Sequence, residues 1–337
     1  MQKMRLGKSE MAVTRIGFGG IPIQRLNEEE SLRVVRFALD AGINWIDTAH
    51  GYSSSEERVG RAIKGYARGE FFIFTKGPGR NPKTIREQIE LSLKRLDISY
   101  IDLYQFHFVP NREIWEKMKE NGTREAVRRL RHQGVIRHIG ASAHTEEAAL
   151  AILEDPEIEV LQYPFNFIVE NEGKAILEQC RKRDIGFIAM KPFAGGVLES
   201  ASPCIRFLLQ FEDLVADPGF EKNMEVEEVA ALARENKPLS DQDRRIIHLL
   251  REELGNNFCR RCGYCTPCAH GVQIIPLMTM DSIVKRFSME LLKSGWPHEA
   301  AMSLEKCIEC GECEDKCPYR LPIMEQIRQG AGILKSS

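Results

Sequence analysis

The 337-residue chain predicts an α/β fold, a (β/α)8 barrel over residues 1–236 followed by a small α-helical module over residues 237–337. Three observations predict it. Short β-rich runs alternate with amphipathic helical stretches through the first two thirds, and strands separated by helices pair in parallel. Eight such units in about 235 residues suit a closed barrel. The open doubly wound alternative would carry a G-x-G-x-x-G turn, and Gly17-Phe-Gly-Gly has the wrong spacing for it. Beyond Asn236-Lys-Pro238 the strand pattern stops, and eight of the ten cysteines fall within residues 259–317.

The elements follow in order. A hairpin of residues 4–6 and 12–17, turned at Gly7-Lys8-Ser9, leads into a first barrel strand at 14–19. Helix 28–41 opens on Asn27 as its N-cap and stops at Gly42. Strand 42–47, helix 56–65 and buried strand 71–75 come next. The helix at 82–96 is opened by Asn81 and Pro82, a cap followed by a proline at the first helical position. Strand 101–106 is followed by strand 135–142, helix 146–153, strand 160–163, helix 171–183, strand 185–190, helix 203–211, strand 213–216 and helix 224–235. In the tail, a polar helix at 241–255 precedes the first group of cysteines, and a helical stretch at 280–292 precedes the second.

Composition narrows the function classes. The chain is 43% hydrophobic and 28% charged, with a net charge of −2, so neither a basic nucleic-acid surface nor an acidic disordered tail is expected. The N-terminal Met1-Gln-Lys-Met-Arg-Leu-Gly lacks a secretory apolar core, and no apolar run approaches membrane-spanning length. The expectation is a cytoplasmic, reducing location, in which clustered cysteines hold metal rather than disulfides.

Reactive groups of a (β/α)8 barrel sit at the C-terminal ends of its strands. Strand 2 ends in Asp47, with Tyr52 in the loop after it; strand 3 ends in Lys76 and strand 4 in His107. A tyrosine near pKa 10 is a poor acid at neutral pH. A neighbouring ammonium is expected to lower that pKa, a carboxylate to hold the ammonium, and an imidazole to hydrogen-bond a carbonyl oxygen. The set suits proton delivery to an oxygen that becomes negative as hydride reaches its carbon. Singly, Asp47 could cap a helix, His107 could be a core histidine and Lys76 a solvated charge; their appearance at consecutive strand ends favours catalysis. Cys180 and Cys204, both helical, read as small buried apolar residues.

The cysteines form two quartets: Cys259, Cys262, Cys265, Cys268 and Cys307, Cys310, Cys313, Cys317. Structural zinc takes C-x2-C pairs separated by roughly 15–20 residues, whereas here two C-x2-C-x2-C triplets each carry a fourth cysteine. The second quartet, with Pro318 after it, resembles the C-x2-C-x2-C-x3-C-P ligand run of bacterial ferredoxins. That resemblance implies two [4Fe–4S] clusters with crossed ligation: Cys259, Cys262, Cys265 and Cys317 on one, Cys307, Cys310, Cys313 and Cys268 on the other. The first quartet departs from the run, because its last gap is two residues and Ala269 stands in the proline position. The long segment between the quartets and the helical patterns around them resemble an α-helical ferredoxin.

G-I-N-W-I-D-T-A-H-G-Y, F-I-F-T-K and S-L-K-R-L-D-I-S-Y-I-D-L-Y-Q-F-H, in this order, closely resemble the aldo-keto reductases over roughly residues 4–230. The whole chain resembles the branch of that family with a C-terminal ferredoxin-type domain. The resemblance implies a tetrad of Asp47, Tyr52, Lys76 and His107, with Tyr52 as general acid/base, and NADP(H) or NAD(H) across the barrel mouth. It implies cofactor contacts from Gly19 and Gly20, from Ser142 in G-A-S, and from Gln162 and Asn166 in Q-Y-P-F-N. Met190 stands where an aromatic residue normally stacks on nicotinamide, and Ala143 where an asparagine follows the serine. Lys191, Gly195, Gly196 and Lys222, in the loops after strands 7 and 8, are candidate phosphate contacts.

The expected partners are a small carbonyl or alcohol substrate and a redox protein, with no nucleic acid and no membrane. Nicotinamide moves electrons in pairs and iron–sulfur clusters singly, and no flavin motif bridges the two. The rival reading is an electron-transfer or redox-sensing protein whose barrel is a docking scaffold. The helix at 241–255, roughly 22 Å long, is expected to carry the chain back to the catalytic rim.

Overall fold

The computed structural model describes residues 1–255, 257–260, 263–317 and 319–335. Eight parallel strands follow chain order: β3 (Phe18–Gly19), β4 (Trp45–Asp47), β5 (Phe72–Gly77), β6 (Ile101–Val109), β7 (Ile136–Ala143), β8 (Val160–Pro164), β9 (Gly186–Met190) and β10 (Leu214–Asp217). Parallel bridges from Ile16 to Ala216 and from Gly19 to Gly219 join the two edges and close the barrel. A hairpin, β1 (Lys3–Arg5) with β2 (Ala12–Thr14), plugs its lower end.

Side chains alternate across a strand, so every second residue faces the barrel axis. Hairpin residues Leu6, Met11 and Val13 pack with Trp45, Phe74, Leu103, Val160, Ile188 and Val215 in one buried inner core. Trp45 stacks on Phe74 at 5.1 Å and donates its indole N–H to Thr14 O at 2.9 Å. Two residues further up the same strands stand Asp47, Lys76, Gln105, Gln162, Met190 and Asp217. An apolar floor therefore lies beneath a largely polar ring at the mouth.

Outside the barrel run α1 (Glu28–Asp40), α2 (Ser55–Ala62), α3 (Pro82–Leu96), α4 (Arg112–Glu120), α5 (Thr123–His132), α6 (Glu146–Leu153), α7 (Glu170–Arg181), α8 (Ala201–Leu209) and α9 (Asn223–Glu235). Asn27 and Glu30 form a complete capping box on α1, and Asn81 caps α3. The outward strand residues and these helices share the larger core.

Several expected boundaries move. Of residues 14–19 only Phe18–Gly19 forms a barrel strand, because Thr14 ends the hairpin with its N–H on Asn44 Oδ1 at 2.7 Å. Residues 42–44 turn out of α1 through Gly42 (φ +89°) before β4 begins. Two helices, α4 and α5, fill the segment after β6 for which no helix was expected; α5 (T-R-E-A-V-R-R-L-R-H) has too few apolar residues to show a helical stripe. The stretch 280–292 is two helices, α12 (Met280–Val284) and α13 (Met289–Ser294), separated by extended backbone at Ser288.

The tail starts with α10 (Asp241–Gly255) and continues through α11 (Ile274–Met278), α12, α13, α14 (Trp296–Met302), α15 (Glu312–Asp315) and α16 (Ile323–Lys335). Ile247 of α10 is buried in the barrel's outer core, with Leu250 and Leu254 packed against it. A second core, built on Ile274, Leu277, Met280, Ile283, Leu321 and Ile327, holds the rest of the tail. Arg206 of α8 donates to Pro238 O at 3.2 Å, Ser202 to Asp243 at 2.7 Å, and Arg251 to Phe167 O, beyond the top of β8, at 2.8 Å. The chain therefore rises along α8 between Pro238 and Asp243, and α10 runs on to the top of β8. Among the described residues no helix is long and apolar enough to cross a membrane.

Candidate functional site

Asp47, Lys76 and His107 from the strand ends and Tyr52 from the loop after β4 meet at the rim. Lys76 is buried; its Nζ donates to Asp47 Oδ2 and, at 2.9 Å, to Thr48 O. The same nitrogen stands 5.0 Å from the centroid of the Tyr52 ring. Tyr52 meets His107 edge-on, with centroids 5.7 Å apart and planes at 82°. A register shift between Phe106 and Val109 turns the end of β6, and Phe108 (φ +53°) is tied down by its N–H to Ser142 Oγ at 2.8 Å. Arg80 fixes the same bend, donating to His107 O and Phe108 O at 2.7 Å each. Bulges commonly re-aim side chains at functional sites, and this one presents His107 to Tyr52.

Lys76 acts on Tyr52 in the expected direction, but burial outweighs it. Burial pushes the Tyr52 phenol above its usual range; Lys76 pulls it down, but Asp47 and Asp217 push it up further. Tyr52 is held as a neutral donor rather than a poised tyrosinate. Burial, followed by Lys76, Arg80 and Lys191, pushes His107 well below the ordinary histidine value, so its imidazole is neutral at neutral pH. Burial pulls the Lys76 ammonium down, but its acidic neighbours, the Asp47 carboxylate first among them, more than reverse this and hold it charged.

Two residues missed in the strand reading complete the ring. Gln105 donates to Asp47 Oδ1 at 3.2 Å. Asp217, one residue past the expected end of the last strand, accepts from Gln162 Nε2 at 3.0 Å, and the same nitrogen stands 3.3 Å from Asp47 Oδ2. Counting two residues up from the apolar floor would have found both.

The tail closes over this rim. Ser282 of α12 donates to Gly195 O at 2.9 Å, and Lys285 to Gly196 O at 3.2 Å. Gln24 and Arg25, beyond β3, donate to the carbonyls of Arg286 and Lys285. Tyr319 donates to Glu172 of α7 at 2.7 Å.

The cysteines surround two cavities. One is lined by Cys265, Cys268, Cys307, Cys310 and Cys313. The other is lined by Cys259, Cys265 and Cys317, with Arg260 and Tyr319 beside them. Cys262 lies outside the described residues. None of the described cysteines forms a disulfide. A cubane is much wider than a lone ion, and cavities ringed by thiols suit it. Each cavity draws its cysteines from both quartets.

A family profile described as the aldo/keto reductase family matches residues 15–243. The chain belongs to the aldo/keto reductase family. A second profile, a 4Fe-4S dicluster domain, matches residues 258–322. The chain is 30% identical over 268 residues to aldo-keto reductase YhdN of Bacillus subtilis (strain 168), covering 74% of this chain and 76% of that one. It is 27% identical over 227 residues to the NADH-specific methylglyoxal reductase of Escherichia coli (strain K12), covering 59% of this chain and 69% of that one. It spans 61% of the Schizosaccharomyces pombe aldo-keto reductase yakc [NADP(+)], at 30% identity over 56% of its own length. In fold it is similar to the holo form of aldo-keto reductase AKR11C1 from Bacillus halodurans, with TM-score 0.63 and 23% identity, covering 74% of this chain and 96% of that one. It is also similar to a Klebsiella pneumoniae aldo/keto reductase solved with NADP and acetate, with TM-score 0.61 and 23% identity, covering 74% and 95%.

The family's cofactor positions fall in different surroundings. Gln162 Oε1 and Gln105 Oε1 are buried without a hydrogen-bond partner, so the polar ring of this aldo/keto reductase holds two unused acceptors. Ser142 accepts from Phe108 and keeps its own hydrogen to donate. Asn166 is used by the backbone, donating to Lys191 O at 3.0 Å and accepting from Ile168 and Val169. Gly20 packs against Asp47 O and Ser55. Met190 is 9% exposed and lies level with Asp217 in the sheet. The charge of Lys191 acts on His107, while Lys222 is exposed at the start of α9. At Gly195 (φ +79°) an added β-carbon would stand 2.2 Å from Ser282 Oγ, so the phosphate-candidate loop is already packed by α12.

Proposed function

We propose that this chain is an NAD(P)H-dependent oxidoreductase that reduces a carbonyl or, in reverse, oxidises an alcohol, with Tyr52 as general acid/base. The observation that carries this reading is the neutral Tyr52 phenol set beside a neutral His107 and above the buried Lys76–Asp47 pair. Nicotinamide would supply the hydride. Tyr52 gives its proton to the carbonyl oxygen as negative charge develops there, His107 donates a hydrogen bond to the same oxygen, and Lys76 stabilises the tyrosinate left behind. The unpaired acceptors of Gln105 and Gln162, together with the Ser142 hydroxyl, suit a carboxamide. A relative that acts on methylglyoxal and fold neighbours solved with NADP favour the same chemistry.

The tail is proposed to hold two [4Fe–4S] clusters with crossed ligands: Cys259, Cys262, Cys265 and Cys317 on the barrel side, and Cys307, Cys310, Cys313 and Cys268 on the other. We divide the chain into a barrel, 1–236, and this module, 237–337, with α10 as the strut between them. The module's grip on the rim also supports a second reading, in which single electrons pass between a partner protein and the barrel mouth. Incubation of wild type and Tyr52→Phe with NADPH or NADH and a panel of aldehydes and ketones, methylglyoxal among them, separates the two. The enzyme reading requires turnover that the substitution lowers by about 10²-fold or more. An unchanged rate contradicts it.

A further inference from the structure

The polar ring holds more carboxyl groups than the family chemistry uses. Asp47 is surrounded by donors: Lys76 Nζ and Gln162 Nε2 on Oδ2, and Gln105 Nε2 on Oδ1. Asp217 has one, Gln162 Nε2 on Oδ2 at 3.0 Å, and its Oδ1 is buried without a partner. The two carboxyls converge on one donor, Gln162 Nε2, which stands 3.0 Å from Asp217 Oδ2 and 3.3 Å from Asp47 Oδ2. Two carboxylates this close repel each other in a buried site, and one proton between them turns the contact into a short, strong hydrogen bond. Gly19 leaves room for the pair, since a β-carbon there would stand 3.0 Å from Asp217 Oδ1 and 2.8 Å from Pro218 O.

We infer that Asp217 is a further positioning residue of the site, sharing one proton with Asp47 so that the pair carries a single negative charge against the single positive charge of Lys76. Asp47, with three donors, carries the charge, and Asp217 carries the proton. Burial and then the Asp47 charge push Asp217 well above the ordinary carboxyl range, in line with this arrangement. The groups facing the pair are Lys76 from β5, Gln105 from β6, Gln162 from β8 and Tyr52 from the loop after β4; further cations at the mouth are Arg80 and Lys191, which act on His107, and Arg286, which acts on Tyr52. Loss of the shared proton leaves two negative charges against one positive charge, and the extra charge weakens Tyr52 as an acid. The alkaline limit of turnover then belongs to Asp217, before Tyr52 itself titrates. This consequence rests on the proposed carbonyl chemistry; the shared proton does not.

The test is infrared difference spectroscopy on the full chain, labelled with 13C-aspartate, as wild type, Asp217→Asn and Asp47→Asn. The expected result is a wild-type protonated-carboxyl C=O band that shifts in heavy water, disappears at alkaline pH and is absent from both variants. In Asp47→Asn, Asp217 inherits Lys76 and ionises. Absence of such a band from wild type, or its survival in Asp47→Asn, overturns the shared proton. Thermal unfolding between about pH 4 and 8 gives a second measurement. An acid with a raised native pKa binds its proton more tightly folded than unfolded, so wild type must lose stability relative to Asp217→Asn as pH rises through this window. A constant difference contradicts the inference. Where turnover is measurable, the alkaline limb must move to higher pH in Asp217→Asn. An unmoved limb overturns the role in turnover and leaves the infrared result to decide the proton.

Discussion

Lys76 is where the charges of the site converge. It is buried with Asp47 against it and Asp217 close by, so its removal leaves negative charge without compensation. Lys76→Met should destabilise the fold by about 3–5 kcal/mol, read as a fall in the denaturant midpoint, and should abolish turnover. His107 acts in the opposite sense. It is held neutral when folded but gains a proton when unfolded below about pH 6.5, so folding stability must fall as pH drops below that value. His107→Gln should flatten that acid-side decline in urea titrations at successive pH values. Asp47, Lys76 and His107 were legible in the sequence because each stands at a strand end in a recognisable string, and Tyr52 because it follows Asp47 in one of those strings. Gln105 and Asp217 were not, because only their height in the barrel gives them meaning. Asn166 shows the converse: its motif was legible, but its amide is taken up by the turn before α7.

At the scale of elements, the informative contact is α12 on the loop after β9. Gly195 permits it twice over, through its left-handed backbone and through its missing β-carbon beside Ser282. Gly195→Ala should strain that loop by about 1–2 kcal/mol and loosen α12. Hydrogen exchange should then quicken at residues 280–286 with little change in the strands, whereas unchanged protection would show that the contact does not hold the lid. Helices α1 and α3 were readable from their caps. Helices α4 and α5 escaped because their charged faces hide a narrow buried stripe, and the break between α12 and α13 escaped because Ser288 is compatible with either state until the second core forms.

For the whole molecule, the two halves are joined by geometry that no local pattern contains. The quartets are contiguous in sequence, yet the cavities mix them. If ligation is crossed, Cys317→Ser should remove the same electron paramagnetic resonance signal as Cys259→Ser, and Cys268→Ser the same one as Cys310→Ser, each halving an iron content of about eight per chain. Loss grouped by quartet instead would contradict crossed ligation. The central proposal is that this chain transfers hydride from nicotinamide to a carbonyl beside Tyr52, beneath a lid built from its dicluster-type tail. The most direct measurement is reduction of a carbonyl substrate by nicotinamide deuterated at C4, under anaerobic conditions, with product analysed by mass spectrometry. The account predicts one deuterium on the carbinol carbon, in the same yield whether or not the clusters begin reduced. Product without deuterium, formed only as the clusters are oxidised, would contradict it.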